Sequence, residues 1–279
     1  MGEISVNCVD FDKHFQDYLR DWTKKNMAKY QNVDAMEADV PDVYLRWLNE
    51  PCDWLSGSTP GAYFQQFDDA KFLCKWLCDY VKKKVSVPDQ LMERITELGE
   101  RSVQPLLDIA ARKEAANEVR MTAIGLLREM ERTEPMELYI GWLAQAQEMD
   151  ELCENGAESL KNMGGRVIEP LLAAYETACP AARECIADIL CDYPTEKRVL
   201  PLLLGLMDSS KNKALIASYI GKFGDADALP RMMRALDDPD INYLDYIEIV
   251  NAVRALGGEV EKERCFDGDP YYESMKQLG

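Results

Sequence analysis

The sequence predicts an all-α chain, most of it an α–α solenoid of about five stacked helix pairs, with an aromatic-rich helical cap at the N-terminal end. Three observations predict it. Prolines recur at Pro105, Pro135, Pro170, Pro201 and Pro230, at intervals of 30, 35, 31 and 29 residues. Helix stop signals recur with a similar period. Alternating apolar runs of the kind strands require are absent, and the one Asn-Gly pair, Asn155-Gly156, falls inside a helical pattern.

Four of the five prolines share a context: Val103-Gln-Pro-Leu-Leu, Ile168-Glu-Pro-Leu-Leu, Val199-Leu-Pro-Leu-Leu and Ala228-Leu-Pro-Arg-Met. Proline fits the first turn of a helix, where its missing N–H has no intrahelical partner. Each therefore reads as a helix start. The stops are Leu98-Gly99, Met163-Gly164-Gly165, Tyr193-Pro194, Phe223-Gly224 and Leu256-Gly257-Gly258. Glycine adopts the left-handed conformation that ends helices, and proline blocks continuation. The 65-residue gap from Leu98 to Met163 leaves room for one further unit ending near Met130.

The second helix of each unit aligns without gaps when Met130, Met163, Tyr193, Phe223 and Leu256 share a column. Leu127, Leu160, Leu190, Ile220 and Val253 then form another, and Ile124, Ala157, Ala187, Ala217 and Val250 a third. Ala123, Gly156, Ile186, Ile216 and Ile249 form a fourth, and the four columns make an i, i+1, i+4, i+7 apolar stripe, the face a helix buries against its neighbours.

Residues 1–87 lack the repeat and form a separate region from 88–279, which holds the solenoid and a short C-terminal segment. Fourteen of the 25 aromatic residues lie in the first 85. Phe11, Phe15, Tyr18 and Trp22 place a helix over about 10–30, Val43, Tyr44 and Trp47 a second over 42–49, and Phe72, Trp76 and Tyr80 a third over 69–84. Between them Thr59 reads as an N-cap with Pro60 at the first helical position. This cluster caps the open first repeat in one reading and forms a ligand pocket in the other.

The run Gly224-Asp-Ala-Asp-Ala-Leu-Pro-Arg-Met-Met-Arg-Ala-Leu-Asp-Asp-Pro-Asp240 resembles a HEAT-like repeat, of the type also found in phycobilin lyase subunits. Leu98-Gly-Glu-Arg-Ser-Val-Gln-Pro-Leu-Leu107 resembles it too. The resemblance spans about 88–258. The unit around 135–163 departs from it, with Cys153 in place of the usual basic residue. In such repeats that residue pairs with a neighbouring acidic turn, which here would set Arg120, Arg183 and Lys213 against Asp208 or Asp237-Asp238. Off the core stripe of the second helices, one column reads Gly125, Glu158, Asp188, Ser218 and Asn251, and the column four later reads Glu129, Asn162, Asp192, Lys222 and Ala255. The resemblance also implies that the second helices line a concave side, where Glu129, Glu158, Asp188 and Asp192 would converge as an acidic strip for a basic peptide or protein surface.

Charge supports that direction. Lys and Arg number 32 against 50 Asp and Glu, a net charge of −18. Such a chain repels nucleic acid and anionic lipid unless its cations are concentrated. Lys82-Lys83-Lys84 reads as a solvated helix end. No run is long and apolar enough for a membrane span, and Met1-Gly2-Glu3-Ile4-Ser5 lacks the pattern of an export signal. Nine cysteines then read as reduced thiols in a cytoplasmic protein.

Catalytic constellations are sparse. His14 is the one histidine, which excludes multi-histidine metal sites. Cys74 and Cys78 share a helix face without a second ligand pair, and Cys179, Cys185 and Cys191 scatter around a helix, so core packing accounts for all five. Met163-Gly-Gly-Arg is a helix stop, not a phosphate cradle. The expectation is a non-enzymatic interaction scaffold or adaptor with no cofactor, metal, nucleic acid or membrane. The enzymatic alternatives are a bilin-lyase-like protein and a DNA-glycosylase-like HEAT-repeat protein. Asp269-Pro270-Tyr271-Tyr272 reads as a short docking segment.

Overall fold

Side-chain capping and left-handed stops divide the chain into helices. The computed structural model describes residues 7–260 and 264–276, and Met1–Ser5 lie outside them. Among the described residues there are sixteen α-helices and no strand, so the fold is all-α. They fall in two compact units, residues 1–135 and 136–279.

In the first unit Asp10 accepts the Lys13 N–H and opens α1 (Phe11–Asn26). Asn32 caps the short α2 (Val33–Glu37), and α3 (Val40–Leu48) follows. Thr59 caps a 3-10 segment, Pro60–Gln66, as the sequence predicts. Asp69 accepts from Lys71 and Phe72 to open α4 (Ala70–Lys83). Then come α5 (Asp89–Glu97), α6 (Glu100–Ala111) and α7 (Asn117–Glu129).

The aromatic residues fill one another's spaces. Phe11 meets Trp54 edge-on at 5.2 Å and Phe64 at 5.6 Å, and Trp76 meets Phe64 at 5.1 Å and Phe67 at 5.2 Å. Phe11, Trp47, Phe64, Trp76 and Tyr80 are all buried. The Tyr80 hydroxyl donates to the Val9 carbonyl. His14 lies flat on Trp54, with ring centroids 4.0 Å apart. The 87/88 composition boundary falls between α4 and α5, which pack together. The α4 helix also packs on α6 and α7, and α5 on α7.

The second unit holds α8 (Met136–Gln145), α9 (Glu151–Lys161), α10 (Ile168–Thr177), α11 (Pro180–Leu190), α12 (Val199–Ser209), α13 (Lys213–Phe223), α14 (Leu229–Leu236), α15 (Tyr243–Ala255) and α16 (Pro270–Lys276). Successive helices pair as α8/α9, α10/α11, α12/α13 and α14/α15. Second helices also touch in a row: α9 on α11, α11 on α13, α13 on α15. The predicted core columns lie inside it, with Leu160, Ile186, Leu190, Ile216, Ala217, Ile220, Ile249 and Val253 buried.

Gly99, Gly164, Gly224 and Gly257 all take positive φ at helix ends. Near Met130 the stop is made without glycine: Glu131 itself is left-handed, φ 53°. The proline reading needs one correction. Pro170 and Pro201 are third and Pro230 second in their helices, but Pro105 is sixth in α6. Pro105, Pro170 and Pro230 all stand six residues after a stop glycine. Gly164–Val167 and Ala226–Ala228 are 3-10 turns, which delay the α-helix, whereas Glu100–Gln104 are already α-helical.

The C-terminal segment docks on its own chain. Asp269 accepts from the Tyr243 N–H at the start of α15 and from Tyr271 and Tyr272 at the start of α16. Phe266 is buried against Tyr243 and Tyr246. Arg264 donates to the carbonyls of Leu236, Asp238 and Pro239.

Candidate functional site

The face carried by the second helices of the second unit gathers the predicted carboxylates. Glu158 and Asp188 project from one column beside the buried stripe, and Asp192 from the column one turn further on. Glu158 on α9 and Asp188 on α11 are joined through one cation: Lys161 Nζ lies 3.1 Å from Glu158 and 2.7 Å from Asp188. Asp192, just past α11, meets Lys222 of α13 at 2.6 Å. Asp192 and Lys222 fall in one column of the sequence alignment, and here they pair between α11 and α13. Glu129 belongs to the first unit, at the exposed end of α7.

Three of the four predicted carboxylates therefore sit in a ladder of ion pairs that links α9 to α11 and α11 to α13. Sequence reasoning missed Lys161. It lies one position before the column that holds Asn162, and its long stem reaches diagonally to the next helix. The hydrogen bond to Asp188, aided by Glu158, holds the Lys161 ammonium well above the ordinary lysine range. Asp192 raises Lys222 in the same way.

Around the ladder stand Cys185, Cys191 and Tyr219. Burial pushes both thiols up to about 11 and raises the Tyr219 hydroxyl as well. A raised value favours the protonated thiol at neutral pH. Burial likewise pushes Cys74 up to about 12 and Cys153 to about 11. Cys74, Cys153 and Cys191 are buried, while Cys78, Cys179 and Cys185 are half-buried. Among the described residues no group of three or more His, Cys, Asp or Glu is placed to hold a metal ion. No helix there is long and apolar enough to cross a membrane.

The basic column divides. Lys213 pairs with Asp238 at 3.3 Å, as the sequence predicts. Arg120 donates to the Ala110 carbonyl at 2.9 Å, and Arg183 to the Tyr175 and Glu176 carbonyls at 3.0 Å. Both satisfy carbonyls left open at the end of the preceding helix. Asp208 pairs with Arg231.

The Lys161 ladder has a pH signature. A lysine raised in the folded state contributes stability that is complete below its ordinary value of 10.5 and is lost as pH climbs through the higher folded value. Tyr219, raised by burial, moves stability the same way, so the measurement is differential. The gap in urea midpoint between wild type and Lys161→Met narrows as pH rises from about 9 to about 12. A gap that stays constant over that range contradicts the ladder.

Compared with known protein families and with curated proteins, the chain matches none.

Proposed function

We propose that the chain is a non-enzymatic binding module, an α-solenoid of HEAT-like helix pairs with aromatic-rich N-terminal helices covering the first of them. Its second-helix face takes a basic peptide or protein surface. The row α9–α11–α13–α15 is the observation that carries this reading. Helices stacked in sequence generate an extended face, and such faces serve for binding partners.

Charge supports the class of partner. Residues 136–279 hold 14 basic and 26 acidic side chains, a net −12. Such a field steers cations toward it. On the ladder, Glu158 and Asp192 keep about half of their side chains in water. A carboxylate has several lone-pair sites, so each accepts a partner's Lys or Arg beside the lysine it already holds.

The test is a fluorescence-anisotropy titration of a labelled nona-lysine peptide with the full chain. Glu158→Lys combined with Asp188→Lys weakens binding about tenfold or more. Glu176→Lys combined with Asp227→Lys makes the same change in net charge on exposed positions away from the ladder, and has the smaller effect. Equal loss in both pairs, or unchanged affinity in the first, rejects the assignment of this face.

A further inference from the structure

A second surface lies in the first unit, on α1. This helix has two apolar stripes. Phe11, Phe15, Tyr18 and Trp22 face inward, with Phe11 buried and Phe15 against Tyr44 and Trp47. About 110° around the helix, Leu19 and Thr23 follow one another at i and i+4, and Met27, just past the end of α1, continues them at i+8. They line a shallow, mainly apolar groove with Arg20 and Lys24 at its rim. Met27 is 59% exposed.

We infer that this outward stripe of α1 docks an amphipathic helix of a partner protein, one with acidic residues flanking its apolar stripe. Shape sets the first half of the inference. The groove runs along residues 16–28, the later turns of α1 and the 3-10 turn Met27–Lys29 that follows it, and is open along its length, so it fits a rod. A helix laid on it inserts side chains between Leu19, Thr23 and Met27, the i/i+4 reading of helix-in-groove recognition. Methionine adapts its flexible side chain to such partners.

Charge sets the second half. The charged residues lining the groove are both cations, on a chain of net −18. Arg20 pairs with Asp17 at 2.7 Å and Lys24 with Asp21 at 3.6 Å. Both pairs are exposed i,i+3 contacts, which contribute little, so both cations remain open to incoming carboxylates. An acidic flank is attracted there and a basic flank repelled. The chain's net charge of −18 opposes an anionic membrane.

The test uses the full chain and two fluorescein-labelled helical peptides with the same leucine stripe, one flanked by glutamates and one by lysines. The glutamate peptide binds, and the lysine peptide is weaker by about tenfold or more. Leu19→Glu with Met27→Glu abolishes the difference, and Arg20→Gln with Lys24→Gln removes most of the salt dependence. Circular dichroism checks the fold, and the single Met27→Glu variant, at a water-facing position, repeats the test should the double variant misfold. Equal binding of the two peptides, or unchanged affinity in Met27→Glu, overturns the inference. So does self-association of the wild-type chain in sedimentation, or capture by phosphatidylserine vesicles, that Met27→Glu removes.

Discussion

Gly221→Val unfolds the second unit at markedly lower denaturant, with a loss of about 1–3 kcal/mol. A Cβ at position 221 would lie 3.1 Å from Ala252 Cα and 3.3 Å from Ala252 Cβ. The nearest atom is backbone, so relief requires α13 and α15 to move apart. That contact is one of the links in the second-helix row. Gly221→Ala separates two effects. Replacing glycine within a helix gains up to about 1 kcal/mol in propensity. A single methyl needs only a few tenths of an ångström of give, so the alanine variant stays near wild type while valine does not. Urea midpoints of the three proteins check this, and a valine variant as stable as wild type contradicts the close approach.

Trp76→Ala has the largest expected effect in the first unit, a loss of about 3–5 kcal/mol. Trp76 is 3% exposed and touches Tyr63, Phe64, Phe67, Phe72 and Tyr80. The truncation opens a void that the rings, fixed on the 60–67 segment and on α4 itself, cannot collapse to fill. Trp76→Phe keeps most of the volume and costs less than about 1.5 kcal/mol. Thermal unfolding of residues 1–135 within the full chain, followed by hydrogen exchange on α4 and α5, reads the difference. A loss under about 1 kcal/mol for the alanine variant would mean that the aromatic cluster is not a packed core.

Much of the helical plan was legible because its signals are local. Asp10, Thr59 and Asp69 cap the elements they precede, and stop glycines take the left-handed conformation their position calls for. Periodicity found the buried columns because one face of each second helix must leave water. Glu131 carried no such signal, since a glutamate held left-handed looks like any other glutamate. Pro105 misled because it stands as far from its stop glycine as Pro170 and Pro230 do, while the intervening turn coils differently.

The site was legible in part. Column alignment brought Glu158, Asp188 and Asp192 to one face, but it could not show the cations between them. Lys222 stood in the acidic column and was the available clue. Lys161 reaches across columns, and such diagonal reach depends on side-chain length and helix spacing, which a column alignment leaves out. The C-terminal segment read as a docking element, and Asp269 does dock, on Tyr243 of the same chain. Nothing in its composition distinguishes a self-contact from a contact with another protein.

The stacking of second helices is tested most directly by zero-length carbodiimide crosslinking of the folded chain, with the joined peptides identified by mass spectrometry. Amide links are expected between Lys161 and Asp188 and between Lys222 and Asp192, whose charged atoms lie 2.7 and 2.6 Å apart. Links confined to neighbours three or four residues away on the same helix, such as Lys161 to Glu158 or Lys24 to Asp21, would show that these helices do not lie side by side.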